Sequence, residues 1–132
     1  MEYLGTGRTN YVKIKNKKKW EELCEKYELE LLKNGEGLYG FHASNEDGQV
    51  VTSYYDEDTD DEIELPDFME AFSELLEDGE VLIWFHIGSE GLRYLIANAV
   101  SINNKREKVT LDLNDIYKKS KKLGKNITEV QW

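Results

Sequence analysis

One cysteine, Cys24, occurs in 132 residues, so no internal disulfide can form. One proline, Pro66, leaves most of the chain free to enter helices and strands. No long hydrophobic run is present: the longest, residues 81–87, is interrupted by His86 and is far short of the ~20 residues that cross a bilayer. The opening MEYLGTGRTN has neither the basic region nor the apolar region of an export signal. Together with the lone cysteine, this points to a reducing cytoplasm and to no membrane partner.

The most informative scarcity is of positive charge. Residues 34–92 contain no Lys or Arg but carry 17 of the 27 acids. The flanks hold all 17 basic residues, so an uninterrupted acidic block lies between basic ends, with a net charge of −10. A solvated surface needs interspersed charge, whereas a long one-signed segment is suited to steering a partner of opposite charge.

Hydrophobic residues make up 39% of the chain, enough for a core, and the length fits one domain, residues 1–132. Periodicity predicts a strand over residues 10–15, then a helix over 17–28. Asn16 caps that helix, and Trp20, Leu23, Cys24 and Tyr27 form its stripe. Strands follow at 28–33 and 38–43 around an Asn34-Gly35 turn, and another at 49–55. Residues 56–64, DEDTDDEIE, read as an exposed acidic loop. Pro66 reads as the first residue of a helix with Phe68, Met69, Phe72, Leu75 and Leu76 on its apolar face. Residues 81–87 are apolar on both faces and read as a central strand. A long strand over 92–103 and one with Val109, Leu111 and Leu113 come next. The last helix, 115–123, is capped by Asp112 or Asn114 and stopped by Gly124 as a left-handed C′ residue, and 127–132 reads as an edge strand. The expected fold is α+β: a mainly antiparallel sheet of about five to seven strands with three helices in a single domain.

Few motifs promise catalysis. Gly35-Glu36-Gly37-Leu38-Tyr39-Gly40 matches G-x-G-x-x-G, yet a strand rather than a helix follows, so the glycines read as turn chemistry. Residues 56–67 resemble an EF-hand loop, with Asp56, Asp58 and Asp60 at the first three ligand positions. Asp61 replaces the turn glycine, and Asp67 replaces the closing glutamate. A metal- or small-molecule-binding role for residues 56–67 is the alternative reading. His42, His86 and Cys24 lack zinc spacing, and no catalytic residue, metal or cofactor is assigned. The lysines of the two ends read as solvated surface, because direct nucleic-acid binding would be opposed by the acidic body.

Residues 76–81 (LEDGEV), 92–95 (LRYL), 99–103 (AVSIN), 113–117 (LNDIY) and Leu123-Gly124, with the opening NYVKIK, Trp20 and Cys24, resemble a family of small accessory proteins from bacteriophages and mobile elements of Gram-positive bacteria. That resemblance implies an accessory gene, of which an anti-defence gene is one kind, and carries over no catalytic residue; the chain is expected not to be an enzyme. The expectation is an inhibitor that binds a host protein with a basic DNA-binding groove, such as a CRISPR nuclease or a restriction enzyme, by mimicking DNA. The residues expected to carry it are Asp56, Glu57, Asp58, Asp60, Asp61, Glu62 and Glu64. Glu70, Glu74, Glu77 and Asp78 form a second row on the following helix.

Overall fold

The structure is a computed structural model that describes residues 3–43, 45–91 and 93–130. Strand β1 (Tyr3–Thr9) leads to helix α1 (Lys17–Lys26) and the hairpin β2 (Leu29–Lys33) and β3 (Tyr39–Ala43). A second hairpin, β4 (Ser53–Asp56) and β5 (Asp61–Glu64), precedes helix α2 (Phe68–Ser73). Strands β6 (Leu82–Glu90), β7 (Arg93–Ile102) and β8 (Lys108–Asp112) follow, then α3 (Asp115–Lys119) and a 3-10 turn (Ser120–Lys122). The fold is α+β. Six strands form one antiparallel sheet in the order β2-β3-β1-β6-β7-β8, and β4-β5 is a separate two-stranded sheet.

The first strand is not where periodicity puts it. Residues 3–9 form β1, paired with β6 from Tyr3↔Glu90 to Thr9↔Trp84. Residues 10–15 make only two isolated bridges, Val12↔Tyr39 and Ile14↔Leu76. Gly5 and Gly7 hide the strand in sequence, since glycine is depleted in strands, but here another segment needs the room. A Cβ on Gly7 would come within 2.8 Å of the Gly48 oxygen, and one on Gly5 would meet the Asp47 carbonyl.

The sheet's inner face carries Thr9, Trp84, Leu82 and Ile102, all buried, and α1 and α2 pack against it. Asn16 Oδ1 accepts from Lys19 N at 3.0 Å and caps α1, which places Trp20 and Cys24 inward. Helix α2 is capped by Asp67, whose carboxylate accepts from Glu70 N, so Pro66 precedes the helix rather than opening it. Phe41, Phe72, Trp20, Phe68 and Trp84 form one ring cluster, with Phe41 stacked on Phe72 at 4.2 Å and Trp20 edge-on to Phe72 at 4.7 Å.

The outer face differs. In register it carries Leu4 and Arg8 on β1, Phe85 and Ile87 on β6, Ala97 and Ala99 on β7, and Val109 and Leu111 on β8. The large apolar ones among these are exposed, from 54% for Leu111 to 71% for Val109. The central strand that the sequence suggests over 81–87 is present as β6, which starts at Leu82 and runs on to Glu90, but only its inner side is covered. The end of the chain departs further. Helix α3 is five residues long, and Asn114 makes no side-chain cap. Gly124 does not have a positive φ. Residues 123–130 are not a strand, and residues 131 and 132 lie outside the described residues.

Candidate functional site

The acidic segment is rooted on the inner face. Gly5 N donates to Glu46 O at 2.9 Å, and Nε2 of the buried His86 lies 3.1 Å from Asp47 O. From there residues 49–52 run without strand pairing into β4, and Leu65 N donates to Thr52 O at 2.8 Å where the chain returns.

Residues 56–64 are thus not a loop but the far end of a hairpin. The register is Ser53↔Glu64, Tyr54↔Ile63, Tyr55↔Glu62 and Asp56↔Asp61. The turn is closed by Asp58 N donating to Asp56 Oδ1 at 3.0 Å, an Asx turn that only a short polar side chain can make. Asp60 takes a left-handed backbone, φ 58°, which aspartate tolerates better than most residues. The Tyr55 hydroxyl donates to the Asp60 carboxylate, and Ser53 Oγ donates to Glu62 Oε1 at 2.6 Å. The bond to Asp60, and then burial, raises the Tyr55 phenol above its ordinary value.

The hairpin brings together all seven first-row acids: Asp56, Glu57, Asp58, Asp60, Asp61, Glu62 and Glu64. Among the described residues none of them forms an ion pair. The second row is placed differently: only Glu70 lies within α2, which ends at Ser73, while Glu74 is its C-cap and Glu77 and Asp78 lie beyond it. Glu70 and Asp67 each lie 3.6 Å from Lys108 Nζ, Glu74 pairs with Arg106, and Asn104 Nδ2 donates to Asp78 Oδ1 at 2.6 Å. The β7–β8 turn therefore covers this row with cations from the basic flank, leaving Glu77 exposed beside it. Sequence spacing along a helix could not show that residues 104–108 arrive opposite. The sequence reading also passed over Tyr54 and Tyr55, 49% and 59% exposed on the hairpin. Their signal was adjacency: two aromatics directly before an acidic run.

The hairpin geometry does not wrap an ion. Asp56 and Asp61 face each other as strand partners, and no group of three or more His, Cys, Asp or Glu among the described residues could hold a metal. Of the G-x-G-x-x-G glycines, Gly35 and Gly37 lie in the β2–β3 turn, where Asn34 Oδ1 accepts from Glu36 N and Leu38 N at 3.0 Å and Gly37 has φ 78°; Gly40 is a residue of β3, where a Cβ would meet Asn10 O. His42 contacts Glu30 Oε2 at 3.2 Å. Cys24 is buried, and burial first, with Glu21 nearby, pushes its thiol up to about 12, the character of an unreactive structural cysteine. No described helix is long and apolar enough to cross a membrane.

No protein-family model, curated protein or solved structure matches this chain.

Proposed function

We propose that this protein binds a second protein through the β4–β5 hairpin, occupying a basic groove that otherwise holds nucleic acid and so blocking it. The observation that supports this best is the set of seven carboxylates on a hairpin outside the main sheet, with no cation partner among the described residues. Four residues of strand and a tight turn span roughly 15 Å, so seven charges average about one per 2 Å of hairpin length, against one per ~1.7 Å of axis for the two strands of duplex DNA. Such a surface attracts a basic groove from a distance and loses that attraction as salt screens it. Tyr54 and Tyr55 supply the rigid aromatic contacts that carry much of the binding energy in interfaces. The second row contributes less, because Glu70, Glu74 and Asp78 are engaged within the chain.

The setting we assign is the bacterial cytoplasm, and the partner class is a DNA-binding defence enzyme, a CRISPR nuclease or a restriction enzyme. This accords with the resemblance to phage accessory proteins. The test is DNA cleavage by a panel of such nucleases, titrated with the protein at low and high salt. Inhibition that fades with salt is expected, and it should vanish when Asp56, Glu57, Asp58, Asp60, Asp61 and Glu62 are changed to Asn or Gln. Full inhibition by that neutral variant, still folded, would end this reading.

A further inference from the structure

Among the described residues no helix or second sheet covers the outer face of the six-stranded sheet, and large apolar side chains stand exposed along it. Its centre is a trough of about 600 Å³. Ala97 and Ala99 make the floor, with Phe85 and Ile87 as one wall and Leu111 and Ile116 as the other. The outward positions of β6, β7 and β8 that flank the trough, from Ile83, Phe85 and Ile87 to Val109 and Leu111, carry no charged residue, and the charges at the trough's edge are Asp112, Asp115 and Lys119.

We infer that this face is covered by the same face of a second copy, making a two-fold homodimer in which two sheets pack back to back. Three observations favour a second copy. The first is area. With Leu113 and Ile116 added to Leu4, Phe85, Ile87, Val109 and Leu111, seven large apolar side chains of the face are 49–71% exposed, on the order of 100 Å² each, or ~700 Å² in all. That is above the ~300–600 Å² of the largest patch on an ordinary monomer and near the ~800 Å² each partner contributes to a stable interface.

The second observation is shape. A two-fold interface must be complementary to itself. Here one patch holds both a ridge and a hollow, because β7 offers alanines where β6 and β8 offer Phe and Leu. The walls of one copy can enter the trough of the other, as inner faces interdigitate in a sheet sandwich.

The third is charge. Two chains of −10 repel each other. The acidic segment crosses the sheet at Gly5 and Gly7, which are in register with Gly88 and His86 on the inner face. Packing through the outer faces therefore puts both acidic segments on the far sides of the dimer and keeps their repulsion small. The dimer stands independently of the role given to the hairpin, since the two surfaces share no residue.

The experiment is the mass of the full chain by sedimentation equilibrium from 1 to 100 μM, in 0.1 and 1 M NaCl. Twice 15.4 kDa is expected, undiminished at high salt because the contact is apolar. Phe85→Glu and, separately, Leu111→Lys on the edge strand should give single-chain mass with an unchanged circular dichroism spectrum. Two sites on different strands guard against one variant failing to fold. A single-chain mass for the wild-type protein at 100 μM overturns the inference and leaves the face to a different protein. A dimer that survives both substitutions overturns it as well, because it would lie elsewhere.

Discussion

Nε2 of His86, on the central strand β6, lies 3.1 Å from the main-chain oxygen of Asp47, the residue at the root of the acidic segment. Beside it, Gly5 leaves the space through which that root passes. A methyl on Gly5 would meet the Asp47 carbonyl, and main chain yields poorly. Gly5→Ala should therefore destabilise the protein by ~2 kcal/mol, as overpacking does. Gly35→Ala, where nothing lies within 4 Å of the added Cβ, should stay within about 0.5 kcal/mol of wild type. Urea midpoints of the two variants measure the contrast.

Tyr54→Ala and Tyr55→Ala test whether the hairpin binds by charge alone. Each leaves every carboxylate in place and removes a side chain that is about half exposed. Under the proposed function each should weaken nuclease inhibition roughly tenfold or more, on the scale of interface aromatics, with the salt dependence kept. Inhibition constants at two salt concentrations separate this from the neutral variant, which should lose the salt dependence too.

Phe41 has rings on several sides: Phe72 at 4.2 Å, Trp84 at 5.7 Å and Trp20 at 5.9 Å. It is fully buried. Phe41→Ala should cost about 3–5 kcal/mol through the lost contacts and the cavity left behind. Thermal melting should show it as a large loss of Tm.

Cys24 sets an alkaline limit. Burial raises its thiol from the ordinary 9.0 to about 12, so the folded state holds the proton more tightly than the unfolded chain. The stability this contributes is complete below pH 9 and is lost as pH rises toward 12. Tyr27 acts in the same direction, its phenol raised by burial and then by Asp67. Cys24→Ala should flatten the fall in stability between pH 9 and 12 while lowering stability at pH 7 through a small cavity. Alkylation of native Cys24 at pH 8 should be slow, becoming fast only in denaturant.

Millimolar calcium should leave Tm within a degree of its metal-free value. A ligand that binds only the folded state would raise it by mass action, but Asp56 and Asp61 are strand partners across a hairpin rather than ligands around one point. A rise of several degrees would restore the metal-binding alternative.

Local chemistry made much of this fold legible. Asn16, the Trp20–Cys24 stripe and the Asn34-Gly35 turn act within a few residues of themselves, and each lies where periodicity and capping place it. The first strand escaped notice because Gly5 and Gly7 serve a distant segment, a need that propensity cannot express. The acidic hairpin read as a loop because its acids are poor strand formers. What pairs them is register: Tyr54↔Ile63 and Tyr55↔Glu62 hold the strands together.

The sequence by itself determined the class of the fold, the inward stripe of the first helix and the segregation of charge, because composition and short-range period carry those. Tertiary structure alone decided which acids remain unpaired. Glu70, Glu74 and Asp78 look in sequence like Asp58 or Asp61, but Lys108, Arg106 and Asn104 come to them from some 25 to 40 residues away. It alone also decided that Phe85, Ile87 and Leu111, apolar like any core residue, lie outside. An alternating strand states that it has two faces. Which face a helix covers depends on the path of the chain between strands, and here both packed helices fall on one side.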